Sequence, residues 1–586
     1  MCQADTTTAI PSACKNNNHE YITEWKEQFK TAWPTLCGMV LYKIPWLISL
    51  RFVGTLGTEE LASAALATTL CNVTGLSLSV GLSSAMTTLT GQARGHLLQK
   101  GGKVEDQQPL LITSKTSASD DSTTIYSSTT QQDKITTFNS KPKVLLPMVF
   151  LYRGLVVQML FVIPVGLWWL SGVESCLSAL GQSPEISRMT SVYLRILTPG
   201  LWAYSISWTI TTWLQSIEMA DVPAYAATLG LISHVPLNYF FVYGLKMGYL
   251  GCAVATTCFQ LIQPVFVLVY LFGTNHGRCR VLEKTVAKAI GRTCLFNAVC
   301  ADLRLAVSLD GILMYLRLGI PGIVTISEWW ASEISIFLSG RLQPNPEVAL
   351  GGMTLYQSIN TFCFMFPVAS AIAGSARVGN LLGSGDTAKA ATAGKVSVAS
   401  SAMISGLIGL VLFLTPHTFF PSLFVPGAAV VDQTSHTIPL LASYVFADGV
   451  QVALNGIIKG CGNQILTMPV VIISYWVVGL PIAYYLSFIR HKGEMCDELF
   501  CGDVGLVTGM TSGTWVHMLS LAIVVFRTDW LEETRKAKER MASHECDSSE
   551  TGSDVEEENA LDVELPAVVK EQNAVDVLVV DAISQL

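Results

Sequence analysis

Three carboxylic acids, Glu328, Glu333 and Asp448, lie within long apolar stretches of the sequence. A charged side chain at bilayer depth costs roughly 3 kcal/mol, so an acid that persists there commonly serves transport or proton transfer. Removal from water also disfavours the charged form of a carboxyl group, which brings its protonation toward physiological pH. Such a group can bind a proton or an organic cation, one in exchange for the other. A structural hydrogen bond between helices is the alternative.

The two glutamates share one predicted span and are five residues apart. At about 100° per residue they project roughly 140° apart around a helix. They therefore cannot both point into one narrow cavity. We expect Glu328, which is nearer mid-span, to face the cavity, and Glu333 to face a neighbouring helix or the outer boundary.

Six further side chains within the spans are predicted to line a substrate cavity. They are Trp329, Trp330, Gln357, Ser358, Asn360 and Asn72. The tryptophan pair beside Glu328 offers ring faces for cation–π contact, and packing or an interfacial belt explains the pair equally well. The polar residues of the eighth span could instead only join helices.

The elements that must position these residues are membrane helices. Of the 586 residues, 50% are hydrophobic and 14% are charged, against roughly 25% charged residues in soluble domains. Apolar stretches of about 20 residues recur, a length that matches a hydrocarbon core of roughly 30 Å, and the backbone of such stretches must be helical. The sequence predicts twelve spans, at 36–56, 66–90, 146–171, 190–214, 222–243, 249–273, 312–340, 350–374, 394–415, 434–458, 467–489 and 503–526.

The segments between spans predict the orientation. A polar tail (1–35), a disordered insert (97–143), a linker (274–311) with an interfacial helix over 281–309, and a disordered tail (527–586) all fall on one side. Most of the 36 Lys and Arg residues lie there. By the positive-inside rule both termini are cytosolic. The sequence leaves open whether the membrane is the plasma membrane or the vacuolar membrane.

The sequence shows little sign of metal binding or nucleotide binding. The net charge of −8 reflects an acidic run at 547–558, and the 15 cysteines form no metal-ligand spacing. Cys496 and Cys501 lie in one polar loop, as a disulfide or as two free thiols. Because no phosphate-binding loop or nucleotide-binding domain is present, we expect an ion gradient as the energy source. We expect no cofactor, no metal and no nucleic-acid partner, and a monomer in the lipid bilayer.

Weak internal symmetry supports two halves. The run that contains Ala93 and Arg94 at the end of the second span resembles the run that contains Ala376 and Arg377 at the end of the eighth. Duplicated halves are common in secondary transporters.

Five motifs in order resemble the multidrug and toxic compound extrusion family of eukaryotes. They lie at 72–93, at 318–333 with Leu-Gly-Ile-Pro and Glu-Trp-Trp, at 375–385, at 459–464 with Lys-Gly-Cys-Gly-Asn-Gln, and at 475–481. The resemblance covers about 36 to 526. It implies an all-α membrane fold of twelve helices in two six-helix lobes, 36–273 and 312–526, related by a pseudo-two-fold axis. It also implies that these lobes rock between inward-open and outward-open states.

The resemblance also implies proton-coupled export of organic cations, metabolites or organic acids. It places the family's helix 7 glutamates on Glu328 and Glu333 and its helix 10 acid on Asp448, with Glu328 and Asp448 as a carboxylate pair. Animal members often carry a further glutamate where Ser358 stands here. The helix 1 aspartate of some bacterial members has no counterpart, since that span holds Lys43 and no acid.

Two other classes remain as alternatives. A related lipid or organic-anion transporter would need a cationic cavity, and the sequence offers acids. A membrane transferase would need grouped catalytic His or Asp residues, which the sequence does not show. Whether Na⁺ can replace H⁺ as counter-ion is left open.

Overall fold

The computed structural model describes residues 17–54, 56–105, 146–179, 182–285, 303–424, 427–496, 498 and 500–543. The described residues up to Met541 belong to one compact unit, whose architecture follows. In the described part of the chain the regular elements are helices, with no β-strand among them. The predicted all-α class is confirmed.

The fold is built from twelve long helices in the described residues. They are α1 Asn17–Gly54, α2 Thr58–Glu105, α3 Leu146–Ser171, α4 Pro184–Ser216, α5 Asp221–Tyr239, α6 Tyr249–Gly273, α7 Leu309–Ser339, α8 Pro346–Ser384, α9 Thr387–Leu414, α10 Ile438–Cys461, α11 Gln464–Arg490 and α12 Gly502–Phe526. Ten are long and apolar enough to cross a membrane. Because α4 and α5 are less apolar and fall outside those ten, the count of twelve crossings stays a prediction.

Shorter helical segments join or interrupt the long ones. The short helices are Val173–Ala179, Asn275–Thr285, 303–306, Phe419–Phe424, Ala428–Ser435 and 530–543. The π-helical segments are Asn72–Leu76, Phe240–Gly244, Val269–Gly273, Ile472–Gly479 and Tyr485–Arg490. Wide turns of this kind often occur at functional sites, and the fourth supplies a residue of the candidate site.

Local sequence sets several helix ends. Gly385 and Gly462 follow α8 and α10 with φ of 81° and 82°, a left-handed conformation that glycine adopts without steric cost. Ser183 and Asp386 cap the N-termini of α4 and α9 by accepting hydrogen bonds from the backbone N–H groups of Ile186 and Lys389. Two turns are therefore fixed at the ends of α8 and α10.

The first helix begins at Asn17, well before the predicted start at residue 36. Its polar residues Glu24, Gln28, Thr31 and Thr35 recur at helical spacing and are buried. Gln28 donates to the carbonyl of Ala393, 2.9 Å away on α9. The polar residues that led us to predict a tail therefore form a packed face of α1.

The expectation of a disordered tail after residue 527 is wrong for residues 530–543, which form a helix. Its buried residues Glu533, Ala537 and Met541 recur every four residues, so one face packs on the membrane helices. Met541 joins an apolar cluster with α2, and Ala537 joins one with α8 and α10. The acidic run 547–558 lies outside the described residues.

Several other predictions are only partly covered by the structure. Of the predicted insert 97–143, residues 106–143 lie outside the described residues, and the first part continues α2 as helix to Glu105. Of the linker, 286–302 lies outside, and Asn275–Thr285 is helical. Cys496 and Cys501 form a disulfide, which decides between the two alternatives for that loop.

We refer to α1–α6 and α7–α12 as the first and second lobe, after the predicted halves, and each contains an apolar core of its own. Trp169, Leu194 and Leu201 belong to the first core, and Leu441 and Leu506 to the second. Between the lobes, α2 packs against α7 and α8, and α1 packs against α8 and α9. A third core, which holds Leu82 and Leu214, also includes Tyr315 of α7 and therefore extends across the contact between the lobes.

Several polar contacts between the lobes lie where α2 and α8 end. Gln92 donates to the carbonyl of Gly460 at 3.0 Å, and Arg540 donates to the Gln92 side chain at 2.8 Å. The same region holds the start of α1 and the helix 530–543. This region, defined by Gln28, Gln92, Gly460 and Arg540, is the closed end.

Glycines at the closed end allow α2 and α8 to approach to backbone contact. A Cβ on Gly383 would meet the Gln92 carbonyl oxygen, and one on Gly95 would meet the Asn380 carbonyl oxygen. Because both obstacles are backbone, we expect Gly383→Ala to destabilise the protein by about 1–3 kcal/mol. The measurement is the melting temperature of the detergent-solubilised protein.

The control for this prediction is Gly406→Ala. A Cβ there would meet only the Phe446 ring, at 3.7 Å, so alanine should be neutral or stabilising through its higher helix propensity. Equal melting temperatures for the two variants would contradict the close approach of α2 and α8.

Candidate functional site

A cluster of polar side chains lies inside the second lobe. Gln451 donates to Asp448 Oδ1 at 3.0 Å, and its Nε2 lies 3.4 Å from Glu328 Oε2. On the other side of Glu328, His517 Nδ1 lies 3.4 Å from the same Oε2 atom. The hydroxyl of Tyr475 lies 3.5 Å from that Nδ1. These five residues form the carboxylate cluster.

Four helices bring the cluster together. Glu328 comes from α7, and Tyr475 comes from the π-helical part of α11. Asp448 and Gln451 lie three residues apart on α10 and therefore share one face. His517 lies on α12. The cluster thus depends on the packing of the lobe rather than on any one segment.

The cluster is shielded from solvent. Asp448 is 6% exposed and Gln451 is 1% exposed, while the side chains of Glu328 and His517 are 14% and 0% exposed. Glu328 and Asp448 also interact electrostatically. One amide therefore joins a buried acid, Asp448, to a partly buried acid, Glu328.

A small cavity borders the cluster one helical turn away. Ser332, Gln357, Tyr356, Tyr444 and Met510 are among its lining residues. Ser332 follows Glu328 by one turn of α7, and Tyr444 precedes Asp448 by one turn of α10. The cavity therefore lies about one helical turn from each acid, and two tyrosines are among its lining residues.

The structure brings Glu328 and Asp448 together and directs Glu333 elsewhere. Glu333 is half-buried and interacts electrostatically with Lys43 of α1 in the other lobe. The Trp330 ring donates to the Ser77 hydroxyl of α2 at 3.2 Å, and Trp329 is 43% exposed. These contacts agree with the predicted divergence of the two glutamates around α7.

The remaining predicted cavity residues are dispersed. Gln357 lines the small cavity, whereas the Ser358 hydroxyl donates to the Thr354 carbonyl of its own helix at 2.9 Å. Asn360 is buried, and its Oδ1 has no hydrogen-bond partner among the described residues. Asn72 lies in the π-helical segment of α2, in the first lobe.

Sequence reasoning missed three members of the cluster. Tyr475 lies in the motif 475–481 but was assigned no role, and Gln451 was not singled out, although its spacing from Asp448 places both on one helix face. A histidine in the apolar α12 is the signal that would have found His517. A further buried acid, Asp503 at the start of α12, accepts a hydrogen bond from Gln433 at 3.2 Å and lies apart from the cluster.

A second polar group, the closed-end network, joins the two lobes. Arg377 of α8 donates to both Glu24 carboxylate oxygens at 3.0 and 2.8 Å and to Glu218 at 3.3 Å. Arg94 of α2 donates to the other oxygen of Glu218 at 3.0 Å, and Asn380 donates to Glu218 as well. The two arginines of the predicted internal repeat therefore share one carboxylate.

Metal-ligand groups are absent from the part of the chain that the structure describes: no three His, Cys, Asp or Glu residues there converge in the manner of a metal site. Acids enclosed by membrane helices are instead characteristic of an integral membrane transporter.

Comparison with known proteins gives the family. The MatE family model matches residues 34–104, 144–240 and 322–485, more than half of the chain, and the chain belongs to this family. Protein DETOXIFICATION 12 of Arabidopsis thaliana is 28% identical over 89% of this chain and 93% of its own length. Multidrug and toxin extrusion protein 1 of Danio rerio is 26% identical over 88% of this chain and 74% of its own length.

The fold also resembles that of a solved member of this family. The crystal structure of the eukaryotic MATE transporter AtDTX14 superimposes with a TM-score of 0.71 at 25% identity, covering 89% of this chain and all of that one. The protein is therefore an integral, multi-pass membrane transporter of small organic compounds and not an enzyme.

Proposed function

We propose that the protein exports organic cations, as xenobiotics or metabolites, in exchange for protons. The observation that carries the proposal is the bridge of Gln451 between partly buried Glu328 and buried Asp448, one helical turn from a cavity. Two adjacent carboxylates in a low-dielectric site favour a state in which one holds a proton. A cation that enters can replace that proton, and a proton can in turn displace the cation.

The cavity walls support a cationic substrate. Tyr356 and Tyr444 offer aromatic faces near the acids, and such faces attract organic cations more strongly when water is excluded. No lysine or arginine is among the residues that line this cavity. A phosphate-bearing lipid would lack a positive partner there.

The contacts between the lobes support alternating access. The closed-end network ties the lobes together at the side that the basic residues of the sequence predict to be cytosolic. We assign this state to the outward-open form, with both termini in the cytosol. Breaking the network and closing the opposite end would produce the inward-open form.

Organic anions are a second candidate substrate class, favoured by one observation. Lys43 is exposed and interacts electrostatically with Glu333 of the other lobe. A lysine along a membrane helix commonly lines a water-filled path. Anion binding at Lys43 would make the same transporter an exporter of organic acids.

The test is uptake of a fluorescent organic cation into proteoliposomes of the purified full-length chain under an imposed pH gradient. We expect uptake that follows the gradient and is lost when a protonophore collapses it. Uptake that persists without the gradient would overturn proton coupling. Transport of an organic acid in place of the cation would favour the second candidate.

A further inference from the structure

A fully buried histidine on α12 contacts one end of the carboxylate cluster. The Nδ1 atom of His517 lies 3.4 Å from Glu328 Oε2 and 3.5 Å from the Tyr475 hydroxyl. The imidazole packs edge-on against the Tyr475 ring, with centroids 5.5 Å apart and an angle of 84°. The tyrosine ring therefore fixes the plane of the imidazole, while Nδ1 remains directed at the carboxylate.

The contact of Nδ1 permits two hydrogen-bond states. With a proton, Nδ1 donates to the Glu328 carboxylate; without one, it accepts from protonated Glu328 or from the Tyr475 hydroxyl. The Nε2 atom has no hydrogen-bond partner among the described residues. Since no contact of Nε2 fixes the tautomer, the state of Glu328 determines where the imidazole proton lies. Distances near 3.4 Å are common in substrate-free sites and tighten during function.

The groups around this contact are few. Tyr475 and Glu328 touch His517, and Asp448 and Tyr444 of α10 lie beside Glu328 and interact with it electrostatically. Lys459, at the closed end of α10, also interacts electrostatically with Glu328. Histidine is the side chain that changes charge near neutral pH without a large perturbation. The Nδ1 atom of His517, which faces Glu328 Oε2, can accept a proton from that carboxyl group.

We propose that His517 relays the proton of Glu328 during exchange, a role that rests on the proposed proton–cation antiport. The O–H bond of Glu328 breaks as an N–H bond forms at Nδ1, and the Nε2 proton then passes to a water molecule when the lobe opens. The neutral imidazole left behind donates from Nδ1 to the free carboxylate, which binds the cation. Return of a proton to Nε2 reverses these steps and releases the cation.

The experiment compares two activities of His517→Gln in proteoliposomes. Cation–cation exchange requires only the free carboxylate, whereas uptake driven by a pH gradient also requires proton transfer. Glutamine retains a donor for Glu328 and cannot accept a proton, so we expect pH-driven uptake to fall about tenfold or more while exchange is largely retained.

The matched control is His234→Gln in the first lobe, where an equally buried imidazole contacts Ser49 and Asn238 at 2.9 and 2.8 Å. There we expect the two activities to change by the same factor. A parallel fall of both activities in His517→Gln would assign a purely structural role to His517, and two unchanged activities would likewise overturn the relay. Loss of pH-driven uptake in the wild type itself would instead overturn the proposed antiport.

Discussion

Replacing Glu328 by glutamine should lower pH-driven cation uptake about tenfold or more. The substitution keeps the shape of the side chain and the contact with Gln451, but the amide can neither ionise nor release a proton. Asp448→Asn should have the same effect, because Gln451 joins the two acids into one unit. Uptake is measured in proteoliposomes that contain equal amounts of correctly inserted protein.

The control for both variants is Asp503→Asn. Asp503 is also a buried acid of the second lobe bonded to a glutamine amide, but it lies roughly 20 Å from His517 along α12. We expect normal coupling in this variant. If Asp503→Asn abolished uptake as fully as Glu328→Gln, burial alone would explain the losses. Normal uptake by Glu328→Gln would show that the assigned site is wrong.

Replacing Arg377 by methionine should open the closed end. The guanidinium binds two carboxylates, and the Glu24 side chain is 7% exposed, so its loss leaves a buried charge without its partner. Breaking such a pair costs about 3–5 kcal/mol. We expect a lower melting temperature and faster maleimide labelling of Cys461, which is buried beside Gln92 at this end, followed by peptide-resolved mass spectrometry.

The matched control for Arg377→Met is Arg535→Met. Among the described residues, Arg535 forms ion pairs with Glu532 and Glu539 of its own helix, and its side chain is 59% exposed. Exposed pairs of this kind contribute little, so stability and Cys461 labelling should match the wild type. Unchanged labelling of Cys461 in Arg377→Met would mean that the network does not hold the lobes together.

The sequence predicted those features that local chemistry determines. The apolar stretches identified most helices because membrane thickness sets their length. The cost of an ionisable group within such a stretch singled out Glu328 and Asp448 without knowledge of their partners. The spacing of Glu328 and Glu333 also predicted that they face different surroundings, and the structure places Glu333 toward Lys43.

Features that depend on distant partners escaped prediction. Glu24 was assigned to a polar tail because its partner Arg377 lies 353 residues away in the sequence. The segment 530–543 was predicted to be disordered because its apolar face contacts partners only in the folded lobes. His517 was not predicted because it contacts Glu328 only through the packing of α7, α11 and α12.

Proton release on cation binding tests the central claim most directly. In weakly buffered detergent solution, a pH indicator reports protons displaced when tetraphenylphosphonium binds to the purified protein. The account predicts release of about one proton per bound cation, as linkage requires for competition at one site, and none from the Glu328→Gln, Asp448→Asn double variant. Binding of the cation by the wild type without proton release would contradict exchange at the carboxylate cluster.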